Sequence, residues 1–589
     1  MTVIQYALDP RGIQAPTSGG LSGVYKDLGL QKAWILLQPI VSMILNVAVF
    51  LAGVLSGAVA SPRVTIGETA IVGRDIKPSN VDFFGGIPFA EPPVGALRFK
   101  SPVLKTTLNG STFDASNYGK SCLQPPFLTT DVSEDCLSIN IHRPAGMHHD
   151  SKLPVLFWTY GGGYVIGTGS FYNGSEIVAH SIRRGTPVIY VNFNYRLGPL
   201  GFPSGKEAFN RRELNLGVKD VLAALEWVHA NIAAFGGDKD KVTIFGQSGG
   251  AVTIGILYFH SEFERLVRGA IFESGQANTA SAFTATERES RWQGFVRNVT
   301  SCSAVATSGN TFPCLQNASE EEISTSYLGS LGRTFDPMLW GPVIDSGGKG
   351  LLPDFPSKLY KKGKFARIPF IAGTTLDEGT FFSQAARNPA FNENILKAVV
   401  IGLASPPLVP PAVISNVTDN ILKLYPDIPA LGSPFGTGDE LFGFPSIYKR
   451  TSALQGDMGF VGTRRQWMET AAIKYGVKGY GYMFSQQPIK DFADGVRHDS
   501  EFYYVYGVPP DQSPPALQLS STMMDYWISF AVNLDPNDDK GSQRPIWPLY
   551  SGSTPTLLQF EAENITAIPD DFRKQQIDYM NANALVFRR

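Results

Sequence analysis

Residues 241–251, KVTIFGQSGGA, run four β-forming residues into an apolar segment through a turn holding three glycines and one serine. A stretch of this kind ends a buried strand and opens a buried helix within a few residues. Such a turn forces backbone conformations that glycine alone adopts at no cost. The serine inside it, Ser248, has to sit in a strained conformation, and Gly246, Gly249 and Gly250 leave room for that. The spacing is G-x-S-x-G, the strand-turn-helix pattern that presents a serine hydroxyl as a nucleophile. A glycine-rich turn with a surface serine fits the same five letters, so the rest of the chain decides.

Around this turn, short β-rich runs alternate with helical stretches: LPVLFWTY (153–160), TPVIYVNFNY (186–195), KVTIF (241–245), GAIFES (269–274), IPFIAG (368–373) and KGYGYMF (478–484). Between the second and third, Val218, Val221, Leu222, Leu225 and Val228 recur at helical spacing. Strands this apolar, separated by helices, predict an α/β fold with a mostly parallel central sheet, helices on both faces and long insertions. A length of 589 residues would ordinarily suggest several domains. A sheet of this class carries long insertions as one unit, so residues 61–589 are read as a single domain. The 43% hydrophobic content supplies a large core. A net charge of −2 without a basic run lacks the electrostatic footprint of a nucleic-acid binder.

The segment from Ala33 to Pro62 contains no charged residue and ends in Ala58-Val59-Ala60, the A-x-A form of a signal-peptidase site. Pro39, Gln38 and Asn46 interrupt the apolar run, which favours a cleaved leader over a membrane anchor. Residues 1–60 are thus read as an N-terminal extension with a signal peptide, translation starting at Met43 and cleavage following Ala60. The mature chain is expected to make no stable membrane insertion. The four cysteines, Cys122, Cys136, Cys302 and Cys314, form two close pairs with neither C-x-x-C spacing nor neighbouring histidines, so no metal site is expected. They suit two local disulfides, each contributing about 3 kcal/mol. Sequons at Asn109, Asn173, Asn298, Asn317, Asn416 and Asn564 agree with a secreted, oxidising setting.

A serine nucleophile needs a base, and the base needs an acid to orient it. In strand-turn-helix serine enzymes the chain order is serine, acid, histidine. Of the seven histidines only His260 and His498 follow Ser248. His260 leaves no room for an intervening strand, which selects His498. The acid belongs at the end of a strand between them. IPFIAGTTLDEGTFF offers Asp377 and Glu378, and GPVIDSGG offers Asp345; the residues themselves do not choose. YGGGY (160–164) follows a strand and supplies backbone amides free of side chains, so Gly162, Gly163 and Gly249 are the expected oxyanion donors.

Taken together, FFGGIPFAEPPVGALRF (83–99), SEDCLSIN (133–140), YGGGY, NYRLGPLGF (194–202), NIAAFGGDKDKVTIFGQSGG (231–250), LDEGTFF (376–382) and the His498 loop resemble the type-B carboxylesterase/lipase family in family order. Segments in 433–460 resemble its secreted fungal branch. The resemblance implies the α/β-hydrolase fold, Glu378 as the triad acid, disulfides Cys122 to Cys136 and Cys302 to Cys314, and cofactor-free ester hydrolysis. The family usually has Glu before the serine and Ala after it, where this chain has Gln247 and Gly249. It often has His where this chain has Tyr160. In the fungal lipases the first disulfide loop is a long lid, and in cholinesterases it carries a tryptophan. Here LQPPFLTTDVSED is short and has none, which predicts an open mouth and bulky or aromatic ester substrates, with acylglycerols second. Tyr164, Phe171, Phe335, Trp340, Phe381, Phe382 and the insertion LASPPLVPPAVI (403–414) are candidates to line that mouth. A non-catalytic adhesion protein of the same fold is the alternative of another class, and the presence of all three triad residues speaks against it.

Overall fold

In the computed structural model, residues 61–331, 339–346, 350–490, 492–552 and 555–589 are described. The leader with Met43 and Ala60, and Phe335, lie outside them. The central sheet has eleven strands: β1 (Arg74–Ile76), β2 (Val81–Pro88), β3 (Ser138–Pro144), β4 (Leu153–Thr159), β5 (Ile189–Phe193), β6 (Gly237–Gln247), β7 (Gly269–Glu273), β8 (Phe370–Thr375), β9 (Gly479–Phe484), β10 (Thr556–Phe560) and β11 (Thr566–Pro569). Their spatial order is β1-β2-β3-β5-β4-β6-β7-β8-β9-β10-β11. From β5 to β10 every pairing is parallel, and antiparallel strands stand at both ends. This is the expected α/β-hydrolase arrangement.

The inner parallel strands form where they do because they are runs of apolar, β-branched and aromatic residues covered on both faces: all five residues of β5 and all six of β8 are buried, whereas the edge strands β1 and β11 bury none. Helix α1 (Leu216–Asn231) buries Val218, Val221, Leu225 and Val228 at the predicted spacing. Helix α2 (Gly249–Leu257) is buried along its whole length, as befits the segment behind the elbow. Helix α3 (Pro514–Asn533) starts on prolines, whose missing N–H costs nothing in a first turn, and buries Met523, Trp527 and Phe530. The insertion between β7 and β8 builds a second apolar cluster from Trp292, Phe312, Tyr327 and Trp340, which packs with Phe99 from the segment between β2 and β3. Around the 403–414 segment, helices Glu393–Gly402 and Pro411–Leu424 share a third cluster through Leu396, Val400, Val417 and Ile421. Among the described residues no helix is long and apolar enough to cross a membrane.

Candidate active site

The C-terminal ends of β4, β6 and β8 and the loop after β9 bring the chemistry together. Ser248 follows β6 with φ +55° and ψ −124°, the strained elbow geometry expected of it. Its N–H donates to the Glu273 carbonyl at 2.9 Å, and its own carbonyl accepts from Val252 N at 2.9 Å to open α2. The flanking glycines answer to the neighbouring strand. A Cβ on Gly246 would lie 2.5 Å from the Thr159 carbonyl oxygen, and one on Gly250 only 2.0 Å from it. Gly249 is different: its nearest neighbour would be Gly163 N at 3.4 Å, an ordinary contact.

His498 is buried, 4% exposed, and its Nδ1 is 2.5 Å from Oε2 of Glu378. Glu378 stands in the turn after β8, past Leu376 and Asp377, and its Oε1 accepts from Thr375 N at 2.8 Å, which fixes the carboxylate. Asp377 faces the other way. Its Oδ1 accepts from Ser433 Oγ (2.7 Å) and Phe435 N (2.9 Å), and its Oδ2 accepts from Val496 N (2.9 Å). It ties the acid turn to the loop that carries the imidazole. Asp345 braces its own turn through Leu351 N and Leu352 N. Of the three acids left open by the sequence, the one reaching the imidazole is Glu378. The other ring nitrogen, Nε2, is 3.1 Å from the side-chain nitrogen of Gln247, the residue before Ser248. Among the described residues this is the hydrogen bond that Nε2 makes; the Ser248 hydroxyl is not its partner.

The glycine loop after β4 closes on the Gly162 carbonyl, which accepts from Val165 N (3.1 Å) and Ile166 N (3.2 Å). Gly162, Gly163 and Tyr164 all have positive φ, at +93°, +61° and +65°. Gly163 N and Tyr164 N stand 3.4 and 3.7 Å from the place a Gly249 Cβ would take. Gly249 N lies in the first turn of α2, where amides have no intrahelical acceptor. The loop therefore sets beside Gly249 the amide of Gly163, an expected donor, and that of Tyr164, which the sequence did not single out as one. A Cβ on Gly161 would meet Ser248 Cβ and Gln247 Oε1 at 2.9 Å each, so loop and elbow are in close contact.

Aromatic rings wall the imidazole: Phe460, Phe382 and Phe381 have centroids 4.5, 5.2 and 6.1 Å from it. Phe460 lies on a π-helical segment, Asp457–Val461, a distortion frequent at functional sites. Behind the acid, Glu273 and Glu501 are fully buried. Glu273 accepts from Trp527 Nε1 (2.7 Å) and Glu501 from Ser274 Oγ (3.2 Å). Burial pushes Glu273 up to about 8 and Glu501 well above the usual carboxylate range.

Both disulfides are formed as expected, Cys122 to Cys136 and Cys302 to Cys314. The first loop packs onto the glycine loop: Gln124 Oε1 accepts from Gly167 N (2.9 Å) and its Nε2 donates to the Gly167 carbonyl (2.8 Å). Five of the sequon asparagines, Asn109, Asn173, Asn317, Asn416 and Asn564, are exposed, and Asn298 is half-buried. Of the candidate lining residues, Tyr164 and Trp340 are core, with Tyr164 accepting from Thr253 Oγ1 (3.2 Å). Phe171 is exposed, and Phe381 and Phe382 are half-buried. The sequence reading missed the contact of Gln247 with the base, the latch made by Asp377, the Gln124 brace and Phe460. Two of these left a signal: Asp377 as one of two adjacent acids, and Gln247 as a departure from the family's glutamate.

The family model of the carboxylesterase family matches residues 60–580. Secreted lipase 1 of Botryotinia fuckeliana is 34% identical over 89% of this chain and 93% of its own. Lipase 1 of Geotrichum candidum is 32% identical over 90% and 97%. Among solved structures, Aspergillus niger EstA superposes with a TM-score of 0.75 at 26% identity, covering 90% of this chain and 99% of its own. With its parallel sheet, serine elbow and matched length, the chain belongs to the carboxylesterase family and is a carboxylic ester hydrolase.

Proposed function

We propose that the protein is a secreted serine carboxylesterase in which Ser248 is the nucleophile, His498 the general base and Glu378 the acid that orients it. The observation that carries this reading is the imidazole itself, held by Glu378 at Nδ1 while Nε2 points at the elbow residue next to Ser248. His498 takes the Ser248 proton as Oγ attacks the ester carbonyl, and the amides of Gly162, Gly163 and Gly249 receive the charge that develops on oxygen. Collapse expels the alcohol, protonated by the imidazolium, and leaves an acyl-enzyme. Water activated by the same imidazole then releases the acid.

Bulky or aromatic esters, of feruloyl or pigment type, are the proposed substrates. The half-buried rings of Phe381 and Phe382 beside His498 support this, as does a first disulfide loop docked on the glycine loop through Gln124. Hydrolysis of acylglycerols is the second reading, favoured by the similarity to proteins named lipases. The leader processed at Ala60, glycans on the exposed sequons and the single domain over 61–589 belong to the same proposal. Stoichiometric labelling of Ser248 by a serine-reactive phosphonate tests the chemistry; an unlabelled, folded protein would return the adhesion-type alternative. A panel of p-nitrophenyl esters of rising chain length beside methyl ferulate and emulsified triglyceride tests the substrate. A strong rate jump above the critical micelle concentration of the triglyceride overturns the aromatic-ester reading.

A further inference from the structure

A neutral imidazole has one lone pair, and in this site its location is fixed. Nδ1 faces the Glu378 carboxylate at 2.5 Å, so the ring proton is there and the free pair is on Nε2. That pair is the one that has to accept the Ser248 proton. The group 3.1 Å from it is the Gln247 amide nitrogen. Gln247 is 6% exposed, and its backbone is pinned at the end of β6, paired in register with Glu273. The other end of the amide, Oε1, stands against Gly161, where a Cβ would come within 2.9 Å. The amide thus fills the slot between glycine loop and base. Phe381, Phe382 and Phe460 limit the ring on the remaining sides.

We propose that Gln247 is a positioning residue that parks His498. In the free enzyme its amide occupies the lone pair of Nε2, and attack requires that hydrogen bond to pass from the amide to the Ser248 hydroxyl. The inference rests on the catalytic roles proposed above. Glutamine suits the task because its amide is neutral and two-faced: nitrogen donates to a neutral imidazole, and oxygen, after a half-turn of the amide, accepts from an imidazolium. A carboxylate in its place serves only the second state. A thioether serves neither.

The test is the second-order rate of phosphylation by diethyl p-nitrophenyl phosphate, followed against pH. In this step a bond forms between Ser248 Oγ and phosphorus, the bond to p-nitrophenolate breaks, and the serine proton passes to Nε2. Gln247→Met keeps length and removes the donor, and it should react about 2- to 10-fold faster than wild type on the plateau, the range of one net hydrogen bond. Gln247→Glu should move the acid limb of the rate profile to higher pH by about one unit or more, because a carboxylate at Nε2 favours the imidazolium. The other ionisable groups about the ring are the same in all variants: Glu378, Asp499 with its partner Arg497, and Glu501 and Glu273 behind Glu378. A residue that only supports the fold would slow both variants and leave the limb in place.

A folded Gln247→Met that reacts no faster than wild type overturns the proposal. Where that variant does not fold, an unshifted limb in Gln247→Glu overturns it instead. Failure of wild type to be labelled at Ser248, with Ser248→Ala as the blank, would remove the underlying reading; labelling of wild type with inert Gln247 variants removes the parking role alone.

Discussion

Replacing Asp377 by alanine and Glu378 by glutamine sets two adjacent acids against each other. Asp377→Ala takes the acceptor from Ser433 Oγ, Phe435 N and Val496 N. Ser433 and Val496 are buried, so water does not replace the lost carboxylate there. At about 1–3 kcal/mol for each stranded buried donor the loss is about 2–6 kcal/mol. An unfolding entropy of ~2.1 cal/mol/K per residue makes roughly 1 kcal/mol/K for a chain of this length, so the melting temperature should fall by about 2–6 °C. Glu378→Gln keeps an acceptor for Thr375 N but loses the charge opposite Nδ1. Its stability should stay within about 1 kcal/mol of wild type while kcat on a p-nitrophenyl ester drops about 10⁴-fold. Differential scanning fluorimetry and initial rates on the same preparations read both. Should Asp377→Ala melt with wild type, or Glu378→Gln melt early and keep its rate, the assignment of latch and acid to these two carboxylates is wrong.

Two glycines of the elbow, Gly249 and Gly250, should separate in the same way. Gly249→Ala meets only an ordinary contact with Gly163 N and should retain activity within about tenfold, whereas Gly250→Ala drives a Cβ into the Thr159 carbonyl and should lose about 10²-fold or more in kcat/KM. Gln124→Ala releases both hydrogen bonds to Gly167 and should lower kcat about tenfold with little change in KM; reduction of Cys122 to Cys136 should act in the same direction. His142 is buried among Phe83 and Tyr190, and burial pulls its imidazole down to about 3. Its proton is taken up near pH 6.5 on unfolding, so the stability due to the neutral ring is complete above that pH and is lost as pH falls toward 3. The loss is roughly 2 kcal/mol at pH 5. Urea midpoints at pH 7 and pH 5 should therefore differ more for wild type than for His142→Phe, and equal differences would refute it.

The parallel strands were legible because burial on both faces leaves continuous apolar runs: LPVLFWTY spans β4, KVTIF is the apolar part of the longer β6, and IPFIAG covers most of β8. The triad candidates were legible for a different reason. A strained serine demands glycines, and a small histidine count leaves few ways to place a base. Neither argument reaches groups whose role comes only from packing. Asp377 and Glu378 are neighbours in the chain, and their opposite directions come from a turn whose geometry depends on Val496 and Phe435, residues far away in sequence.

Gln247 shows where such reading stops. Its position next to Ser248 marked it as a departure from the family's glutamate, whose charge would favour an imidazolium. The contact with Nε2 changes the question from charge to occupancy. A carboxylate before the nucleophile acts on the base at every stage through its field, whereas an amide acts through one hydrogen bond that is either present or exchanged for another. The two differ little in volume and greatly in pH dependence. If the amide is what the base holds at rest, the free enzyme is restrained by about the net strength of one neutral hydrogen bond, ~1 kcal/mol, recovered when the serine takes the amide's place. An acid limb that shifts in Gln247→Glu and a rate that rises in Gln247→Met are jointly required by that exchange, and simple loss of packing at this position produces neither.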